Sequence, residues 1–284
     1  MATITNQAAL SYNGITTLSN IAVGELVEAL TASKTAADTT YTAGGVKTFA
    51  ISLVNSGASA LTGLTLTDTL GSYPFGGRTL YPMTYVNGSL LYYVNGVLQA
   101  TPAITATAPL TVTGISIPSG GNAMVIYSTA INEFAPLGVA DSITNTATIT
   151  GGGLATPVTA TETITTSAAP QLSISKALSP ATVVENGTLT YTLTLLNRGN
   201  AAANATDDLV ITDTFDPVLR NLTVRFNGTL WTEGTQYTYN AATGVFATTA
   251  GALTVPAATF TQDPTTGVFT VDPGTAQLVI TGTL

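Results

Sequence analysis

Residues 142–151 read SITNTATITG, a run in which Ile143, Asn145, Ala147 and Ile149 share one parity and the threonines mostly take the other. Alternation with a period of two marks a strand with one buried face, and here it places an asparagine on the apolar side. The start of the chain repeats the pattern. TITNQAAL (3–10) matches at Ile4/Ile143, Thr5/Thr144, Asn6/Asn145 and Ala8/Ala147, with Leu10 in place of Ile149.

Working outward, the stretches before residue 142 recur after residue 170. LTASKTA (30–36) answers SISKALS (173–179), and VKTFAISLVNSGASA (46–60) answers LTYTLTLLNRGNAAA (189–203). LTLTDTL (64–70) answers LVITDTF (209–215), VNGSLLY (86–92) answers FNGTLWT (226–232), and ISIPSGGNAMVIYSTAI (115–131) answers VDPGTAQLVITGTL (271–284). A repeat of short strands and turns, rich in β-branched residues, fits a Greek-key sandwich. The expected fold is therefore all-β: two tandem immunoglobulin-like sandwiches, the second lacking its last strand, plus an N-terminal donor strand. The expected division is donor strand 1–14, connector 15–24, complete sandwich 25–165 and incomplete sandwich 166–284. GELVEALTASK (24–34) is the one stretch with a plausible helical pattern.

Composition narrows the function. Only 8% of the 284 residues are charged, 7 basic against 15 acidic, for a net charge of −8. Phosphate-dominated nucleic-acid binding is not expected, and no apolar run is long enough to span a membrane as a helix. The chain has no Cys and no His, which removes disulfides, thiol nucleophiles, the usual zinc ligands and the commonest general base. Asp207-Asp208 lacks the dense oxygen spacing of a calcium loop, so no metal and no cofactor is expected. No enzyme motif stands out. MATITNQAALSYNG has neither a basic nor a long apolar segment and does not read as a secretory signal. The NG and GG pairs read as turns, and Tyr81, Tyr85, Tyr92 and Tyr93 as cross-strand packing.

Parity also singles out the polar residues with core-facing phase. Lys34 shares a face with Leu30, Ala32 and Ala36; Asp68 with Leu64, Leu66 and Leu70; Asn145 with Ile143, Ala147 and Ile149. The second copy repeats the first two with Lys176 and Asp213, and Asn6 on the first strand, beside Ile4, Ala8 and Leu10, repeats the third. Burial disfavours both charges of a Lys–Asp pair. A neutral amine is a nucleophile, and a protonated Asp can polarise a carboxamide. Two outcomes are open: a covalent Lys–Asn amide assisted by Asp, or a buried ion pair capped by an amide. The covalent form would join Lys34 to Asn145 with Asp68 as proton shuttle. Between molecules it would join Lys176 to Asn6 with Asp213.

The ordered motifs SKT, VNSG, TDTL and SITNTATITG resemble the bacterial surface-repeat family called domain of unknown function 11, over nearly the whole chain. That resemblance implies a place in long cell-surface or fibre proteins of bacteria or archaea. Related pilin and adhesin domains carry internal Lys–Asn isopeptide bonds, which the resemblance extends to this chain. Where Ile131 leads on to SITNTATITG in the first copy, its counterpart Leu284 is the last residue given. A first strand of matching pattern could fill the second sandwich by strand addition, in its own chain or in a neighbour. A head-to-tail homopolymer follows in the second case, and copy one, lying between the two ends in sequence, favours it. Burying Ile4, Ala8 and Leu10 would contribute roughly 4–6 kcal/mol. An excerpt from a longer repeat array is the other explanation. The expected function is the subunit of an extracellular cell- or spore-surface fibre, and the alternative is a monomeric stalk or adhesin fragment that binds a host or matrix ligand.

Overall fold

The computed structural model describes residues 2–26 and 29–284. The chain is all-β: among the described residues the only helical element is the single 3-10 turn Ala205–Asp207, and no helix is long and apolar enough to cross a membrane. The stretch with a helical pattern is strand up to Leu26 and again from Leu30; Val27 and Glu28 lie outside the described residues. Two units emerge, Met1–Asn132 with Ile143–Ile164, and Glu133–Ser142 with Thr165–Leu284.

The first four strands form a ribbon. They are β1 (Ala2–Asn6), β2 (Ala9–Tyr12), β3 (Ile15–Leu18) and β4 (Ala22–Leu26). Antiparallel pairing sets Ile4 opposite Gly24, Asn6 opposite Ala22 and Ser11 opposite Thr16. Asn13 and Gly14 close the ribbon at φ 49° and 77°, the left-handed pair that a two-residue type I′ turn demands. The stretch expected to be a connector, 15–24, is thus largely strand, paired back on the expected donor. Residues 4–24 are exposed throughout, including Ile4, Leu10, Tyr12, Ile15, Leu18, Ile21 and Val23.

The first sandwich continues with β5 (Leu30–Ala36), β6 (Thr40–Tyr41), β7 (Val46–Asn55) and β8 (Leu61–Asp68). Short strands follow: β9 (Tyr73–Phe75), β10 (Arg78–Leu80), β11 (Met83–Tyr85), β12 (Leu91–Val94), β13 (Val97–Leu98) and β14 (Ala103–Thr107). The last are β15 (Leu110–Ile117), β16 (Asn122–Ile131), β17 (Ser142–Gly151) and β18 (Val158–Thr166). One sheet runs β13-β12-β16-β7-β5 with β11 also on β16, the other β14-β15-β8-β17-β18-β6. Alternate residues fill the core: Phe49, Ile51 and Leu53 from β7, Leu64 and Leu66 from β8, Val125 and Tyr127 from β16, Ala147 and Ile149 from β17. Tyr85 and Tyr92 of the tyrosine cluster are buried as well.

The second unit is built from β19 (Leu172–Ser179), β20 (Thr188–Asn197), β21 (Thr212–Thr214), β22 (Arg220–Phe226) and β23 (Thr229–Leu230). It adds β24 (Tyr237–Asn240), β25 (Val245–Thr248), β26 (Thr259–Gln262), β27 (Phe269–Asp272) and β28 (Gly274–Thr283). The sheet β19-β20-β28-β22-β23 copies the first sheet of the other unit; among the described residues the rest of the unit's strands form the three-stranded β21-β25-β24 and the pair β26-β27. A core forms around Leu193, Phe215, Phe246, Leu278 and Ile280. Yet β19 is exposed along its whole length, with Leu172 42% exposed where β5 buries its counterpart Leu30 to 1%.

Both units share one polar lock. Asn55 is fully buried at the end of β7; its Nδ2 donates to the carbonyls of Ser59 and Pro118 (both 2.9 Å), and its Oδ1 accepts from Gly57 N–H at 3.0 Å. Asn197 ends β20 in the same way, donating to Ala201 and Pro256 and accepting from Gln171 and Gly199. Asn55→Ala or Asn197→Ala strands these buried backbone groups, and each is expected to cost about 2–3 kcal/mol in urea unfolding.

Candidate functional site

In the first sandwich, parity carries Lys34, Asp68 and Asn145 inward from β5, β8 and β17. Register then brings them together. Lys34 stands opposite Ile51 on β7, and Asp68 opposite Ala147 on β17. Lys34 Nζ donates to Asp68 Oδ2 at 2.6 Å, with both side chains fully buried. Tyr127 Oη on β16 donates to the same oxygen at 2.6 Å, and Asn145 Nδ2 donates to Tyr127 Oη at 3.3 Å. The result is one unbroken line of polar atoms, Nζ–Oδ2–Oη–Nδ2, through an apolar core.

The amide oxygen of Asn145 is held from its other side. Gly71 N–H reaches Oδ1 at 3.1 Å and the Thr69 hydroxyl at 3.2 Å. Gly71 is irreplaceable by geometry: its φ is +69°, and a Cβ there would lie 2.2 Å from Ile143 Cγ2. Leu70 N–H donates to Asp68 Oδ1 at 3.0 Å and so orients the carboxylate. The ammonium of Lys34 also lies over the ring of Phe49, 5.0 Å from its centroid.

Burial pushes the Lys34 pKa below that of a free lysine, even though the Asp68 charge and hydrogen bond act in the opposite direction. Desolvation, reinforced by the Asp68 charge, raises the Tyr127 phenol well above its ordinary value, so the hydroxyl keeps its proton. An amine that loses its proton readily, a hydroxyl able to pass one on, and two donors on a carboxamide oxygen are the components of acyl transfer. Parity reasoning from the sequence misses Tyr127, Thr69 and Gly71.

The second unit keeps half of this arrangement. Lys176 donates to Asp213 Oδ2, and its ammonium lies 4.5 Å from the Tyr191 ring centroid. Here, however, the lysine side chain is 39% exposed and the aspartate 16%. In the first unit β8 has β17 beside it; β21, among the described residues, pairs only with β25. Matching registers put Ile280 opposite Tyr191 where Tyr127 stands opposite Phe49, so no phenol reaches Asp213 from that position. Asn6, with Ile4, Ala8 and Leu10, stays on the exposed ribbon. The structure thus assembles the Lys34, Asp68 and Asn145 group, pairs Lys176 with Asp213, and leaves Asn6 in solvent.

Truncating one partner of a buried pair leaves an uncompensated charge, whereas an exposed pair is screened. Lys34→Met is therefore expected to cost roughly 3–5 kcal/mol and Lys176→Met no more than about 1 kcal/mol, read from denaturation midpoints of the two variants.

No family model and no curated protein matches the chain. Among solved structures it is similar to the pilus backbone RrgB from Streptococcus pneumoniae, at 10% identity over 86% of this chain and 55% of that one, with a TM-score of 0.34. It is similar to BcpA, the major pilin subunit of Bacillus cereus, at 12% identity over 96% of this chain and 73% of that one (TM-score 0.36). The collagen-binding domain from a Staphylococcus aureus adhesin matches at 16% identity over 47% of this chain and 96% of that one (TM-score 0.30). The chain spans little more than half the length of the pneumococcal protein.

Proposed function

We propose that the chain is a structural subunit of an extracellular fibre on a cell or spore surface, built head to tail from copies of itself by β-strand donation and locked by Lys–Asn amide bonds. The observation that carries this reading is the contrast between two equivalent Lys–Asp pairs. One lies buried beneath a strand reading ITNTATI; the other lies open at a sheet edge, and the chain carries an exposed stretch reading ITNQAAL, which runs from β1 into β2. Open edges recruit strands. Donation between copies uses different surfaces on donor and acceptor, so it propagates instead of closing.

The covalent step is the same aminolysis at both places, with a phenol relay in the first sandwich alone. In the first sandwich Lys34 passes a proton to Asp68, and the neutral Nζ attacks Cγ of Asn145. Negative charge developing on Oδ1 meets the Gly71 N–H and the Thr69 hydroxyl. A proton travels from Asp68 through Tyr127 to Nδ2 while Asp68 takes one from Nζ. The Cγ–Nδ2 bond breaks, ammonia departs, and it takes up the remaining proton as ammonium. Nothing is oxidised and no cofactor enters. At the fibre joint, Lys176 and Asp213 act on Asn6 of the next copy. The chemistry happens once per bond, so the protein is not an enzyme in the turnover sense.

Purified protein is expected to form filaments in electron micrographs and a ladder that survives boiling in detergent, with each internal bond lowering the intact mass by one ammonia. Asn6→Ala should abolish the ladder and keep the internal mass loss; Asn145→Ala should do the reverse. Dispersed monomers of unmodified mass overturn the proposal and leave a stalk or adhesin fragment.

The relay has its own test, using unreacted chain refolded and followed by mass. Tyr127→Phe is expected to slow the internal bond about 100-fold. Because the Lys34 pKa is lowered, the neutral amine persists to more acidic pH than an ordinary lysine would allow. The rate should then fall as pH drops through that lowered value, because the amine becomes protonated.

A further inference from the structure

Resting on the strand-donation reading, and going beyond it, we infer that the donated element is the whole two-stranded ribbon, entering as a preformed hairpin. In the first sandwich the edge of β8 is covered by a hairpin, β17 followed by β18, and not by a lone strand. Hydroxyl pairs Thr144–Thr163 and Thr146–Thr161, each at 3.0 Å, fix its register and set Asn145 across from Glu162. That hairpin runs from Ser142 to Thr166. The ribbon runs from Ala2 to Leu26, an equally long stretch, and sets Asn6 across from Ala22. The two turns fall at matching places, Gly151–Gly153 in one and Asn13-Gly14 in the other, all at positive φ.

The second unit needs both strands. Within these residues it has counterparts of neither β17 nor β18, so a single inserted strand would fill only the first of two vacant places beside β21. The returning arm of the ribbon also has the wrong composition for a solvated linker. Ile15, Leu18, Ile21 and Val23 are 70, 61, 56 and 67% exposed. An isolated two-stranded hairpin is marginal in water, and this one, whose returning arm turns Ala22 and Gly24 to the face of Asn6 and Ile4, gains by docking as a unit. The occupant of the open edge beside β21 is then the ribbon of a second copy, with β1–β2 against β21 and β3–β4 outside it.

A cross-strand staple tests this, because the chain has no cysteine of its own. Thr5 lies opposite Val23, equivalent to the exposed pair Thr144–Thr163, so a disulfide there stays off the core-facing side. The full-length double variant Thr5→Cys/Val23→Cys is expected to give an undiminished detergent-resistant ladder when oxidised, equal to its reduced form. A ladder lost on oxidation and regained on reduction means the arms must part, and overturns hairpin donation while leaving strand donation intact. Loss in both redox states, with the unsubstituted chain still polymerising, also counts against it. Absence of polymer from the unsubstituted chain overturns strand donation itself, and hairpin donation with it.

Discussion

The structure turns on a charge pair buried in a sandwich core. Two ions removed from water carry a heavy desolvation penalty, which their attraction offsets only when geometry and further hydrogen bonds are complete. In the first unit they are complete: Tyr127 and Leu70 donate to the Asp68 carboxylate, and Asn145 on β17 closes the line. The closing strand is thus as much a part of the pair as either charge. Remove it, and water returns to the lysine, which is the state of Lys176 in the second unit.

The two units therefore serve as a comparison in which cover is the main variable. Their first sheets share strand order and register, and both strands ahead of the NSG and NRG turns end in a buried asparagine gripping the backbone of the following loop. What differs is cover. Leu30 is 1% exposed and its counterpart Leu172 42%, on strands that occupy the same place in the same sheet. The substitution of Ile280 for Tyr127 adds a chemical difference: Asp68 has a phenol to relay through, while Asp213 faces its lysine without one. In the proposed fibre the internal bond and the joint are thus built from unequal machinery, the joint relying on Asp213 alone.

Much of this was legible because strand parity is a strict rule. Once LTASKTA, LTLTDTL and SITNTATITG are recognised as strands, Lys34, Asp68 and Asn145 have nowhere to point but inward. Tyr127 hides in plain alternation: beside Ala123, Val125 and Thr129 it reads as one more core residue, and only the pairing of β16 with β7 puts its hydroxyl on the carboxylate. Gly71 and Thr69 follow Asp68 directly, but their role exists only once β17 lies alongside. The ribbon carries its own signal in Asn13-Gly14 between two apolar-rich runs; dividing the segment at residue 14 treats that turn as a boundary. Long-range register, not local pattern, is what the missing pieces have in common.

The same dependence on cover orders the proposed assembly in time. Desolvation is what lowers the pKa of Lys34, and in the proposed fibre the donated strand supplies the cover that Lys176, 39% exposed, lacks. A lysine activated before docking would be free to attack any carboxamide that met the open edge. Activated by docking, it meets only the asparagine on the inward face of the strand that excluded the water. A register slip of one residue would turn that asparagine to the solvent face and place a threonine or glutamine inside, where no acyl transfer to the amine follows from Thr and the longer Gln side chain shifts the carbonyl carbon. Strand registry thus sets both which residue reacts and when, so a covalent joint would form only where the non-covalent one is already correct.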